Sequence, residues 1–186
     1  MILRVIGYGD PLLRKQSEDI EKDYPNLDKL IADMFETMYE SHGVGLAAPQ
    51  IGLNINMFVI DTTPIEDNKD GIKRAFINPI ILKEDGEPWA FEEGCLSLPK
   101  IREDVIRDER IVLSYFDENF VEHEEVFDDI NARVIQHEYD HLEGILFIDH
   151  LSGVKKRLLK KRLNEIVNGS VEADYPMKYY KQIVKK

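Results

Sequence analysis

The sequence predicts an α+β fold in which mostly antiparallel strands surround one central helix, with a further helix near the carboxy-terminal end. Three observations predict it. Four apolar runs rich in Val, Ile and Phe fall between residues 56 and 127, each of strand length and bounded by turn residues. Helical periodicity is confined to about Asn26 to Ser41, to a stretch beginning near Asp129, and to the run around Lys155 to Ile166. Strands thus precede and flank a central helix instead of alternating with helices, which argues for an antiparallel arrangement.

Taken in order, the first helix runs from about Asn26 to Ser41, where Leu27, Leu30, Ile31, Met34, Phe35 and Met38 recur at helical spacing and mark a core-facing stripe. A Gly-rich segment follows. Asn56 to Asp61 and Phe76 to Leu82 read as strands separated by a polar stretch with Asp67, Asn68, Asp70 and Gly71. Glu93 to Pro99, punctuated by Gly94 and Pro99, reads as a loop or strand edge. Ile111 to Phe116 and Val121 to Phe127 give two more strands around a turn at Asp117 to Asn119, and the central helix then begins near Asp129. Beyond it, Lys155-Lys156-Arg157 and Lys160-Lys161-Arg162 recur around Leu158, Leu159, Leu163 and Ile166, the pattern of a basic amphipathic helix. Gly169 to Pro176 breaks that pattern, and the last ten residues are expected to be a loosely held extension.

With 186 residues and 43% apolar content, the chain can bury one sizeable core, so residues 1–186 are expected to form a single catalytic domain in which 151–186 are a basic helix and tail. The net charge of -12 hides an asymmetry. Residues 1–150 hold 14 basic and 33 acidic side chains, or -19, whereas 151–186 hold 10 and 3, or +7. Met1 to Gly9 is too short for a signal-peptide core and no run of ~18 apolar residues exists, so no membrane partner and a cytoplasmic location are expected. The single cysteine, Cys95, excludes an internal disulfide and fits a reducing compartment.

The central helix carries His137-Glu138-Tyr139-Asp140-His141. At ~3.6 residues per turn, His137 and His141 share a face and can reach one cation, with Glu138 beside it as general base. Two histidines alone are also common on surface helices. Cys95 supplies a third ligand of suitable type, and catalytic metal sites keep three protein ligands and one open position. Ile130, Val134, His137 and His141 form one stripe, apolar at one end and metal-binding at the other, which suits a pocket for an unbranched apolar side chain such as methionine. The same stripe is also what ordinary core packing would produce.

Gly43-Val44-Gly45-Leu46-Ala47-Ala48-Pro49-Gln50-Ile51-Gly52, Glu93-Gly94-Cys95-Leu96-Ser97 and Gln136-His137-Glu138-Tyr139-Asp140-His141-Leu142 resemble the three motifs of peptide deformylase, in order and at fitting distances. Tyr8 to Arg14 resembles the opening of that family too, so the likeness covers roughly residues 1–150. Leu98, Pro49 and Lys100 depart from the commonest pattern without touching a ligand position. The resemblance implies hydrolysis of the N-formyl group from the formylmethionine of nascent polypeptides, with release of formate. It implies one divalent ion held by Cys95, His137 and His141, with Fe²⁺ as the native metal and Zn²⁺, Ni²⁺ or Co²⁺ able to substitute. A water activated by that ion is then the nucleophile, Glu138 the base, and the Gln50 amide and Leu96 N–H the oxyanion donors. The family would add Val44 and Phe91 to the walls of the pocket that the stripe of Ile130 and Val134 suggests. It would also place Arg102 against the substrate backbone.

Gly43 and Gly45 fit as positions where a substrate backbone approaches closely, although a turn explains them equally well. Glu93 and Asp140 are candidates to orient the histidines because they adjoin them in sequence. The basic helix suggests ribosome contact, since ribosomal RNA is a polyanion, while a docked helix with a solvated face explains the same charges. No DNA partner is expected. Two other functions use the same residues: a zinc peptidase that cuts internal bonds, and a silent binder of formylmethionyl termini. The intact Glu138, Gln50 and ligand set speak against the second.

Overall fold

The computed structural model describes residues 1–181. Its centre is a five-stranded antiparallel sheet built from β2 (Gly45–Ala47), β3 (Met57–Asp61), β4 (Lys73–Asp85), β7 (Arg110–Phe116) and β8 (Glu122–Asp128), in the order β2-β3-β4-β7-β8. Two helices cover its faces: α1 (Leu27–Glu40) and α2 (Asp129–Leu142). The alternation of β3 explains why every residue in it is apolar or buried. Met57 and Val59 pack with Met34 and Met38 of α1, while Phe58 and Ile60 pack with Ala132 and Ile135 of α2. Successive side chains point to opposite faces, so a strand covered on both sides is apolar along its covered length, and only Asp61 at its end is charged, held by the hydroxyls of Tyr39 and Thr63. The central position expected for the metal-binding helix follows: α2 is buried on nearly every side from Asn131 to Glu138.

Strand β4 is longer than the predicted 76–82 and is irregular where Pro79 falls, with a register shift between Ile77 and Ile80. Asn78 sits there at φ 47°, and its carboxamide bonds both the N–H and the C=O of Ile20. A proline cannot donate to a ladder, so a bulge is where it is tolerated.

The segment 93–99, expected as a loop or strand edge, holds two strand ends and the bend between them, in a separate hairpin of β5 (Trp89–Cys95) with β6 (Leu98–Arg107), paired in register from Trp89↔Arg107 to Gly94↔Arg102. Leu98, Ile101 and Val105 of this hairpin pack with Leu146, Phe147 and Ile148 and with Leu159 and Ile166 of α3 (Gly153–Val167), forming a third apolar cluster. Ser152 caps α3 by accepting from the Lys155 N–H.

The last segment is not a loose extension over the described residues. Strand β9 (Met177–Lys178) pairs in parallel with β1 (Val5–Ile6). The remainder of the predicted extension, residues 182–186, lies outside the described part of the chain. Among the described residues no helix is long and apolar enough to cross a membrane.

Candidate metal centre

Helix α2 delivers two imidazoles and the β5–β6 bend delivers one thiol. Cys95 lies at the register shift that ends β5, which turns its side chain toward α2. Cys95 Sγ is 3.2 Å from His141 Nε2, and ligand atoms of Cys95, His137 and His141 all lie within 4.8 Å of one another. The His137 Nδ1 faces Glu93 Oε2 at 2.8 Å, which leaves its other ring nitrogen for the cluster. Burial pushes the Cys95 thiol up, but the two imidazoles outweigh it and hold the group down at about 5. A thiolate beside two imidazoles is a complete three-ligand donor set for a divalent transition metal.

Of the two carboxylates expected to orient the histidines, Glu93 does so and Asp140 does not. Asp140 instead accepts from Arg107 at 2.8 Å and faces His150 Nε2 at 2.7 Å, because it lies on the side of α2 turned away from the cluster. Glu93 is the centre of a buried charge group. It accepts from Arg107 Nε at 2.7 Å and Arg133 Nη1 at 3.0 Å while holding His137, and the guanidinium of Arg133 stacks 4.5 Å from the Trp89 ring centroid. Burial opposes its ionisation, but these partners hold the Glu93 carboxyl well below the usual carboxylate range.

Glu138 is buried beside the cluster, and burial pushes its carboxyl up to about 7. Its Oε2 has no hydrogen-bond partner among the described residues, so a lone pair is available to a water or a substrate proton. Gly45 explains how the carboxylate fits. A Cβ at Gly45 would lie 2.7 Å from Glu138 Cδ and 2.8 Å from Cγ, so the missing side chain makes room for Glu138.

Gln50, in the 3-10 turn Ala48–Ile51 after β2, is aimed by a backbone bond. Its Oε1 accepts from the Ala47 N–H at 2.8 Å, which turns Nε2 toward Cys95 Sγ and Ser97 Oγ, both at 3.4 Å. Leu96, at the hairpin bend, lines the same space.

These groups open on a cavity of about 840 Å³, whose walls include Val44, Phe91, Arg102 and Val134 among the predicted residues. Ile130 is not part of it. Two turns before His137 on α2, it packs against the cluster between the sheet and α2, because the stripe it shares with His137 runs along the helix and out of the cavity. Arg102 pairs with Glu92 at 3.1 Å with both side chains mostly exposed, a contact of little energetic weight that leaves the guanidinium free to turn. Sequence reasoning missed Arg133, Ile65 and Tyr175, which also line the cavity. Arg133 was detectable, four residues before His137 on the buried face. Ile65 and Tyr175 carried no signal.

One cysteine and two histidines, the histidines a helical turn apart with a buried carboxylate between them, define a mononuclear metallohydrolase centre. The family model described as polypeptide deformylase matches residues 2–157, and the chain belongs to that family of metal-dependent enzymes. It is 54% identical to the peptide deformylase of Flavobacterium johnsoniae, over 96% of each chain, and 54% identical to that of Cytophaga hutchinsonii, over 96% of this chain and 98% of the other. Among solved structures, a plant peptide deformylase superposes with a TM-score of 0.82 at 33% identity over 90% of both chains. The Legionella pneumophila enzyme does so with a TM-score of 0.79 at 37% identity, over 89% of this chain and 95% of that one.

Proposed function

We propose that this chain hydrolyses the N-formyl group of formylmethionine at the start of newly made polypeptides and releases formate. The observation that carries the reading is Glu138 Oε2, without a partner among the described residues, beside the Cys95, His137 and His141 cluster at the foot of a cavity walled by Val44, Phe91 and Val134. Cys95, His137 and His141 would hold one divalent ion, which when bound supplies Lewis acidity to water and to the formyl oxygen.

Glu138 takes a proton from the attacking water as the new C–O bond forms at the formyl carbon. Its buried position beside the cluster, with Oε2 unpaired among the described residues, suits that exchange. Gln50 Nε2, fixed by Ala47, and the Leu96 N–H donate to the oxyanion that develops. As the C–N bond breaks, Glu138 returns the proton to the departing methionine nitrogen, which leaves as the free amine beside formate. The apolar walls accept the methionine side chain, and Arg102 reaches the peptide backbone beyond it.

Formate release from formyl-Met-Ala-Ser tests this, with unformylated Met-Ala-Ser as control. Glu138→Gln is expected to lower kcat at least ~100-fold while metal content stays constant. Unchanged turnover would remove Glu138 from its role.

The native ion in this reading is Fe²⁺, which suits thiolate and imidazole and is prone to oxidation in air. Faster loss of activity in air than under argon supports it; equal loss rules it out. The reading places the reaction in the cytoplasm. It also places the outer face of α3, where Arg157, Lys160 and Lys161 lie exposed, against ribosomal RNA. Salt-dependent co-sedimentation with ribosomes, lost when those three are reversed in charge, tests that contact.

A further inference from the structure

Helix α3 is not the chain's last contribution to the cavity. After Val167 the chain reverses near Gly169 at φ 68°, and Ala173, Asp174 and Tyr175 line the same space as Cys95 and Glu138. Two anchors hold this return. On one side, the Val5 N–H donates to Pro176 O and the Gly7 N–H to Lys178 O, both at 2.9 Å, around the parallel pair of β1 and β9. On the other, Tyr179 packs on the third apolar cluster and bonds the Val171 carbonyl, while the Lys181 N–H donates to Val167 O at 2.9 Å.

Between the anchors, the Tyr175 hydroxyl donates to the Leu96 carbonyl at 2.8 Å. That distance is ideal for a neutral O–H donor. The neighbouring residue is pinned as well: the Tyr8 N–H donates to Ser97 O at 2.8 Å, and Gln50 reaches Ser97 Oγ. The bend that presents Leu96 to the cavity is therefore clamped by groups from three distant parts of the chain, one of them the segment after α3.

We propose that Tyr175 is a positioning residue, delivered by the return of the chain after α3, whose hydroxyl fixes the Leu96–Ser97 peptide on one side of the Leu96 Cα and so limits the swing of the adjoining Cys95–Leu96 peptide, whose N–H serves the oxyanion. This rests on the deformylase reading above. An oxyanion donor works because it is in place before charge develops, so a bond that immobilises its backbone acts on the transition state more than on substrate binding. Tyr175 itself touches no reacting atom.

Tyr175→Phe keeps the ring and removes the bond. Its kcat on formyl-Met-Ala-Ser is expected to fall roughly three- to tenfold, the range for one neutral hydrogen bond, with KM within ~twofold of the parent. Bound metal per chain should not change. Amide hydrogen exchange should accelerate across residues 94–99 and stay the same across residues 57–61. Tyr180→Phe, at an exposed position outside the cavity, should match the parent in every measurement. Unchanged kcat and unchanged exchange at 94–99 would overturn the role of Tyr175 while leaving the deformylase reading intact. So would a loss of kcat that merely follows loss of metal, or a change confined to KM. Absence of formate from the parent chain would overturn the reading and this role together.

Discussion

At Gly45 an absent side chain matters as much as the groups around it. Leu46 faces α1 and Ala47 faces α2, so by strand alternation Gly45 also faces α2, and Glu138 occupies the volume a Cβ would take. Gly45→Ala must push Glu138 aside, and kcat/KM for formate release is expected to fall ~10-fold or more with the metal still bound, a barrier change of about 1.4 kcal/mol. Metal analysis beside the kinetics separates this from loss of the site. Glu93 has the opposite character, a charge that cannot be removed without stranding its neighbours. Glu93→Gln leaves Arg107 and Arg133 buried without its charge, and urea unfolding should show a loss of about 3 kcal/mol. His137, Glu138 and His141 were legible in the sequence because helical spacing is local. The Glu93 group was only half legible, since Arg133 lies forty positions away on another element. Periodicity assigned Ile130 to the right face of α2 and could not say how far along the helix the cavity extends.

Among the elements, β2 (Gly45–Ala47) is too short to announce itself, whereas the four longer sheet strands and all three α-helices were legible from their apolar runs and periodicity. The β5–β6 hairpin was not. In β6 the inward positions after Lys100 are Ile101, Glu103, Val105 and Arg107, so two of four are charged: Glu103 meets Lys155 and Arg107 meets Glu93. Lys100, at φ 63°, also breaks the phase between Leu98 and Ile101. Charged residues that are paired across elements erase the pattern that marks a strand. A second inter-strand group has a measurable titration. Tyr115 on β7 donates to Glu125 of β8 at 2.8 Å and accepts from Arg74 of β4 at 2.7 Å. Burial and Glu125 push its phenol up to about 12, against the pull of Arg74. Because the folded-state value exceeds the unfolded value of ~10, the stability it contributes is whole below pH ~10 and is lost as pH climbs toward 12. Tyr115→Phe should therefore flatten the fall in stability over that window, read by urea unfolding at successive pH values. An equal fall in both proteins would contradict the assignment.

For the whole molecule, the metal centre joins pieces that belong to different cores: α2 from the cluster beneath the sheet, and Cys95 from the cluster that joins the hairpin to α3. Binding an ion should stabilise both at once. In excess metal the unfolding free energy is expected to rise by about 1.4 kcal/mol for each tenfold increase in free ion, and chelation should lower Tm to a value independent of metal concentration. A Tm indifferent to the ion would mean that the folded chain does not hold it. The charge asymmetry was legible in composition alone, but the return of the chain after α3 was not, because Met177-Lys178 is too short to announce a strand.

That short strand has a further consequence in time. Val5 and Ile6 are synthesised well before their partners Met177 and Lys178. Until those partners emerge the β1 edge stays open, with unpaired N–H and C=O groups available to any passing strand. Tyr175 arrives with that closing strand, so the pairing that covers the β1 edge also brings the Tyr175 hydroxyl onto the Leu96 carbonyl.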